Sequence, residues 1–232
     1  MGIIAWVTNL SARACILTLV IIARAAVLAA QTSGGAPVQT PAPAQSPSPS
    51  PSPTWSFRFS GAGYFLPDDD DYVQPTITAD RGALHLESRY NYEERNSLSA
   101  FAGWTFGFGQ KFRLDITPMF GGVAGERDGV IPGLELSFTA GPVEFYSEGE
   151  YVIDVHDTSS RFLYNWSELS LWPVDWLRVG LVTQRTKVFD EPRDVQRGLL
   201  GGVAIGRFEG VAYWFNPGSS ERYFVTSFAI SF

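Results

Sequence analysis

The chain has little of the chemistry that many enzymes and metal-binding proteins use. Its 232 residues include one cysteine, Cys15, and two histidines, His85 and His156. A single thiol excludes intramolecular disulfides, and Cys15 lies in an apolar N-terminal run rather than in a folded domain. Basic residues are also scarce, because 17 Lys and Arg stand against 24 Asp and Glu, for a net charge of −7. This acidic balance argues against a nucleic-acid partner, which would require a basic surface.

Charge is almost absent from the first 54 residues, which contain only Arg13 and Arg24 as charged side chains. The apolar run ACILTLVII follows Arg13 and precedes the small residues of ARAAVLAAQ. That order is typical of a secretory signal peptide, and we predict one over residues 1–30. A retained membrane anchor is the alternative, but the run is shorter than the ~20 residues of a spanning helix, and Arg24 interrupts it.

A Pro- and Ser-rich segment follows over residues 31–54 and ends in APVQTPAPAQSPSPSPSPT. Repeated proline fixes φ, so this composition predicts a semi-rigid polyproline II spacer. The even strand number predicted for the rest of the chain puts both chain termini on one side of a barrel, which suits a periplasmic position for this linker. It either tethers the folded domain toward the cell wall or only separates the cleavage site from that domain.

Period-two alternation of apolar and polar residues recurs from Trp55 to the end of the chain, and no comparable run has the helical period. In ALHLESRYNYEE, every second residue from Leu84 to Tyr92 lies on one face, and every second residue from His85 to Glu93 lies on the other. The domain 55–232 is therefore predicted to be all-β. We place strands at 55–66, 72–80, 83–93, 97–108, 110–124, 131–140, 143–155, 161–172, 176–188, 196–207, 210–216 and 222–232. Ten to fourteen strands fit the pattern, since two of these are weak and 165–172 needs a bulge near Ser167 to keep its register.

The connections alternate between minimal turns and longer polar loops. The short set is 81–82, 109, 141–142, 173–175 and 208–209, and the longer set is 67–71, 94–96, 125–130, 156–160, 189–195 and 217–221. This asymmetry, strands of transmembrane length and aromatic residues near strand ends predict a closed, antiparallel, up-and-down transmembrane β-barrel of about 12 strands. A secreted soluble β-sandwich that binds a ligand is the rival fold, because half-buried strands also alternate.

The C-terminal stretch RYFVTSFAISF carries a resemblance to a known class. Phe232 is the last residue, and Ile230, Phe228 and Phe224 lie at alternate positions before it, with Thr226 as a mild departure. This ending resembles the C-terminal signature of Gram-negative outer-membrane β-barrel proteins. The resemblance implies insertion in the outer membrane, contact with lipids and lipopolysaccharide, and recognition of the strand end by the barrel-assembly machinery.

The other face of the strands carries charges of both signs, where the lumen of a barrel would hold them. The predicted lumen-lining residues are Arg58, His85, Glu87, Arg89, Lys111, Arg113, Asp115, Glu135, Glu144, Glu148, Glu150 and Arg178. Twelve tilted strands give a backbone radius of roughly 12 Å, which leaves a narrow passage at most. We therefore expect either a narrow channel for small solutes or a structural barrel plugged by an Arg/Glu network.

An outer-membrane lipid hydrolase is the alternative from another class. It would need His85, which the pattern turns toward the lumen, or His156 in the loop HDTSS, where a base and serines are close only in sequence. The acidic loop PDDDDY (67–72) lacks the spacing of a calcium loop, so we interpret it as a solvated segment that contacts lipopolysaccharide phosphates through divalent cations. We predict no catalytic residue, no cofactor and no metal site.

Overall fold

The computed structural model describes residues 53–67, 70–157, 161–188 and 194–232. The predicted signal peptide and nearly all of the predicted linker lie outside these residues. Within them, no helix has the length and apolar character required to cross a membrane.

The described residues form thirteen strands. They are β1 (Trp55–Phe65), β2 (Tyr72–Arg81), β3 (Leu84–Tyr90), β4 (Leu98–Trp104), β5 (Phe106–Phe108), β6 (Phe112–Ala124), β7 (Gly129–Ala140), β8 (Val143–Asp154), β9 (Phe162–Val174), β10 (Leu177–Val188), β11 (Asp194–Ile205), β12 (Phe208–Phe215) and β13 (Tyr223–Ser231).

Each strand pairs antiparallel with its neighbours in one sheet, and the sheet closes on itself. β4 and β5 both pair with β6, so they occupy one strand position that is interrupted at Thr105. The barrel therefore has twelve strand positions. It closes where β1 pairs with β13, and backbone hydrogen bonds join Phe57 and Phe232 in both directions at 3.1 and 2.8 Å. The closed barrel that the alternation predicted is confirmed, and a single closed sheet contradicts the sandwich alternative.

The turns fall at two distinct ends of the barrel. At one end, β2–β3, β7–β8, β9–β10 and β11–β12 are joined by two residues each, and β5–β6 by three; we call this the short-turn end. Two-residue hairpins need positive φ, and Gly141 and Gly206 supply it at 58° and 62°. The opposite end, which carries connections such as 91–97 and 216–222, is the long-loop end.

Four local predictions were wrong. The strand predicted over 83–93 ends at Tyr90, because Asn91 adopts a left-handed φ of 59° that turns the chain. The strand predicted over 97–108 is interrupted at Thr105. Residues 208–209 begin β12 rather than forming a turn. No bulge occurs near Ser167, which pairs regularly with Ser147; the irregularity lies between Leu177 and Val179 of β10.

The polarity of the two faces of the sheet is the reverse of that in a soluble protein: the outer face is apolar and the inner face is polar. The outer face exposes large apolar side chains along most strands, with Phe228 70% exposed and Phe208 65% exposed. The inner face buries charged and polar side chains. Aromatic residues lie near both rims of the outer face: Trp55, Phe57, Trp104, Phe106, Phe108, Phe112, Trp176, Phe208 and Phe232 at the short-turn end, and Phe65, Tyr90, Trp214 and Phe224 at the long-loop end. Such an apolar belt with aromatic rims fits the hydrocarbon core and interfaces of a membrane.

Candidate functional site: the barrel lumen

Arg89 spans the lumen from β3 to β8. This side chain leaves β3 and pairs with Glu87 on its own strand and with Glu148 and Glu150 on β8. β8 lies four strand positions away around the barrel, past β4, β6 and β7. Arg89, Glu148 and Glu150 are each at most 1% exposed. Each of the three guanidinium nitrogens donates to one carboxylate, and Arg89 offsets part of a carboxylate charge that would be costly to bury alone.

Two aromatic rings hold the Arg89 guanidinium from its faces. The guanidinium carbon lies 3.9 Å from the ring centroid of Tyr92 and 4.5 Å from that of Phe101. The Phe101 ring occupies the space above Gly121, where any Cβ would meet the ring and the Ala100 carbonyl oxygen at 2.7 Å. Gly121 is thus required for the close approach of Phe101 to Arg89. We call Arg89, Glu148, Glu150, Tyr92 and Phe101 the arginine plug.

A second ionic network lies along the wall formed by β9 to β12 and β1. Glu209 accepts a hydrogen bond from Arg58 at 2.8 Å and lies 3.6 Å from Arg178. Arg178 also pairs with Glu168. Glu168 in turn accepts hydrogen bonds from the Trp166 indole at 2.8 Å and the Tyr213 hydroxyl at 2.9 Å. The network therefore joins the charged wall to aromatic side chains packed inside the barrel.

Aromatic side chains fill the lumen between this network and the long-loop end. Trp166 meets Tyr213 and Phe215 edge-on with ring centroids 5.4 Å apart, and Phe215 stacks on Tyr223 at 4.7 Å. These side chains are at most 4% exposed. We call the cluster of Tyr64, Tyr164, Trp166, Tyr213, Phe215 and Tyr223 the aromatic core. Its rings pack against one another and leave little of their surface accessible.

The short-turn half of the lumen instead contains a cavity of about 530 Å³. Its walls carry charges of both signs and hydroxyl groups, including Arg58, Asp80, His85, Arg113, Asp115 and Glu135. Arg113 donates to both carboxylate oxygens of Asp115 at 2.7 and 2.6 Å. No residue of the arginine plug lines this cavity, which we call the vestibule.

The structure places most of the predicted lumen-lining residues on the inner face. Nine of them are buried there: Arg58, His85, Glu87, Arg89, Asp115, Glu135, Glu148, Glu150 and Arg178. Arg113 and Glu144 lie near the short-turn rim, where Glu144 accepts a hydrogen bond from the Trp172 indole at 2.8 Å. Lys111 does not line the lumen, because it lies in the exposed turn before β6. On the outer face, Phe224, Phe228 and Phe232 are exposed and Ile230 is partly exposed.

Sequence reasoning missed several lumen residues. Glu168 and Trp166 lie two residues apart on β9 and therefore face the same side of the sheet. Strand alternation alone could have assigned both to the lumen. Glu209 was assigned to a turn. Tyr92 was assigned to the apolar face of a longer strand, but the turn at Asn91 directs it inward onto Arg89. Burial raises the pKa of the Tyr92 phenol, and burial also raises the pKa of Glu93 in the same loop to about 7, although Arg89 opposes that shift.

The two histidines considered for a hydrolase lie in different environments. His85 is buried in the lumen, whereas the His156 side chain is 76% exposed and lies 3.4 Å from Asp128. Ser159 and Ser160 lie outside the described residues. No charge relay involving His156 and a serine is thus present in the described part of the chain.

Comparison with known proteins agrees with this architecture. No protein-family model matches the sequence, and no curated protein sequence matches it. Solved structures do match. A KdgM porin superimposes with a TM-score of 0.57 at 12% identity, over 76% of this chain and 99% of that one.

The fold is similar to that of solved porin structures. A NanC porin gives a TM-score of 0.55 at 8% identity, over 75% of this chain and 98% of that one. A further structure, of KdgM porin in complex with disordered oligogalacturonate, gives 0.54 at 10% identity, over 76% and 99%. The class that the C-terminal resemblance indicated is confirmed at the level of the fold. These three structures are porins rather than enzymes.

Proposed function

We propose that this chain is a narrow outer-membrane channel for small solutes, and that side chains close its lumen in the present conformation. The porin fold supports the channel, and one observation supports the closure: Arg89 crosses the lumen to Glu148 and Glu150 with all three side chains at most 1% exposed. Passage of a solute would require these side chains and the adjoining aromatic core to move apart. A structural barrel that never conducts is the alternative that the same plug allows.

Planar-bilayer conductance of refolded protein tests this proposal. The informative variant is the double substitution Arg89→Ala with Glu150→Ala, because it removes one charge of each sign and leaves a wider lumen. We expect rare, small openings from the wild-type protein and larger, more frequent openings from the double variant. Arg222→Ala, in an exposed turn, is the matched control and should behave as wild type. If neither the wild type nor the double variant conducts ions, the chain is a structural barrel rather than a channel.

The sign of the lumen charge determines which solutes we propose for it. Among the described strand residues, the buried carboxylates are Glu87, Asp115, Glu135, Glu148, Glu150, Glu168 and Glu209, whereas the buried arginines are Arg58, Arg89 and Arg178. The acidic excess favours small cations over anions. It fits poorly with a polyuronate such as the oligogalacturonate bound in the KdgM structure, because each sugar of that ligand carries a carboxylate. A reversal potential of opposite sign in a KCl gradient would refute cation preference.

We further propose that the outer membrane is the site of insertion, with the short-turn end toward the periplasm and the acidic loop at 67–72 near lipopolysaccharide. The terminal strand would then be the segment that the assembly machinery recognises. Phe228 is 70% exposed on the outer face, so Phe228→Ala should weaken lipid contact and reduce stability both in refolded protein and in cells. Deletion of Phe232 should leave refolding in detergent intact but lower insertion in cells. Normal insertion of that deletion would show that Phe232 carries no assembly signal.

A further inference from the structure

Three ligand-type side chains converge at the inner end of the vestibule. His85 and Glu87 lie two residues apart on β3 and so share its inner face. Glu135 comes from β7, which faces them across β4 and β6. One ligand atom from each side chain lies within 4.8 Å of the other two. The three residues are 4%, 4% and 5% exposed, so this is a buried cluster rather than an acidic surface patch.

The hydrogen bonds around the cluster leave specific atoms directed into it. Asp80 Oδ1 lies 2.8 Å from His85 Nδ1, and a carboxylate only accepts, so that contact assigns a proton to Nδ1. Arg89 occupies Glu87 Oε1. The Tyr146 hydroxyl donates to Glu135 Oε1 at 3.1 Å.

The remaining atoms of His85 and Glu87 have no hydrogen-bond partner. His85 Nε2 and Glu87 Oε2 are both buried and lie 3.6 Å apart, which is too far for a hydrogen bond. The two atoms lie within ion-pair distance but share no hydrogen bond, and desolvated polar atoms without hydrogen-bond partners can serve as ligands of a bound ion.

The donor set matches a divalent transition metal. One imidazole nitrogen and two carboxylate oxygens suit Zn²⁺, whereas Ca²⁺ and Mg²⁺ prefer sets made of oxygen alone. The carboxylate of Asp80 behind the imidazole and the Tyr146 hydroxyl behind Glu135 would orient the ligands, as outer-shell partners do in known metal sites. His85 and Glu135 also line the vestibule, so a fourth coordination position would face its interior.

We propose that His85, Glu87 and Glu135 bind one Zn²⁺ ion at the inner end of the vestibule, with an open position directed into the cavity. The ion would link β3 to β7 across the lumen. This proposal extends beyond transport, and it differs from the expectation from sequence that the chain has no metal site. It rests on contacts across the barrel that no local spacing in the sequence reveals.

Isothermal titration of the full chain with ZnCl₂ tests the site. The protein carries no histidine tag, is refolded in detergent and is treated with a chelator before the titration. We expect one tight Zn²⁺ site per chain. His85→Ala and Glu135→Gln should each weaken it about tenfold or more, as expected when a ligand is lost. His156→Ala removes the other histidine of the chain and should leave the affinity unchanged.

Heat-modifiable migration on SDS gels verifies that each variant is folded. A thermal unfolding measurement on the wild-type protein tests the site without any substitution. Zn²⁺ should raise the thermal unfolding midpoint of the wild-type barrel, whereas Mg²⁺ at the same concentration should not. The proposal is overturned if wild type shows neither a tight site nor a shift, or if His85→Ala binds Zn²⁺ as tightly as wild type. Because these measurements involve no transport, their outcome is independent of the conductance test.

Discussion

The two halves of the lumen are filled by different kinds of side chain. Toward the long-loop end, the aromatic core packs rings against one another and leaves at most 4% of the Trp166, Tyr213 and Phe215 surfaces accessible. Toward the short-turn end, charged side chains surround a cavity of about 530 Å³. The arginine plug combines both kinds of side chain, because its guanidinium contacts carboxylates and aromatic rings. The comparison shows that the same strands carry packed aromatic rings at one end and a polar vestibule at the other.

The largest change in the free energy of unfolding should come from removing the guanidinium of the arginine plug. Arg89→Ala leaves Glu148 and Glu150 buried without their cation, which should cost about 3–5 kcal/mol of unfolding free energy. Urea unfolding of the barrel in lipid vesicles measures this. Arg89→Met with Glu87→Gln, Glu148→Gln and Glu150→Gln should recover most of the loss, because none of the three carboxylates that pair with Arg89 then remains charged. If Arg89→Ala unfolds like wild type, the plug does not stabilise the barrel.

A smaller effect should follow from crowding the aromatic side of the plug. Gly121→Ala places a methyl group against the Phe101 ring and displaces it from Arg89, at a cost of about 1–3 kcal/mol. Gly201→Ala is the matched control, since a Cβ at this strand position meets nothing within 4 Å. Equal unfolding midpoints for the two variants would show that the Phe101 ring relaxes freely.

The loop above the plug should make stability depend on pH. Burial raises the pKa of Glu93 to about 7 in the folded protein, above its ordinary value of 4.5, while Arg89 opposes and Glu148 reinforces the shift. Between these values the folded state binds more protons than the unfolded state, so stability should fall as pH rises from 4.5 to 7. Glu93→Gln should remove about 1–3 kcal/mol of that fall. Unfolding midpoints at pH 5 and pH 8 measure it, and parallel pH profiles for the two proteins would contradict the assignment.

The smallest effect is expected at the vestibule mouth. The Arg113 side chain is 49% exposed and pairs with Asp115, so solvent screens the pair. Arg113→Ala should therefore cost only about 0–1 kcal/mol, far less than Arg89→Ala. A loss as large as that of Arg89→Ala would mean that the vestibule is as dry as the plug.

Much of the fold followed from local chemistry. Alternation marked the inner and outer faces of most strands, and the minimal turns alternated with the longer connections as in the final barrel. The clearest error in the predicted strands arose where a positive φ at one residue ended a strand although the apolar–polar alternation continued. Asn91, at φ 59°, ended β3 three residues before the alternation did and directed Tyr92 into the lumen.

What the sequence by itself determined is the alternation of side chains, and with it the apolar outer belt and the polar inner face. A period of two assigns each residue to a face, because successive side chains in a strand point to opposite sides. Only the tertiary structure decided which inner residues meet. Arg89 reaches Glu148 and Glu150 past three intervening strand positions, and His85 meets Glu135 past two. Those meetings depend on the tilt and stagger with which the barrel closes, and no single strand encodes either quantity.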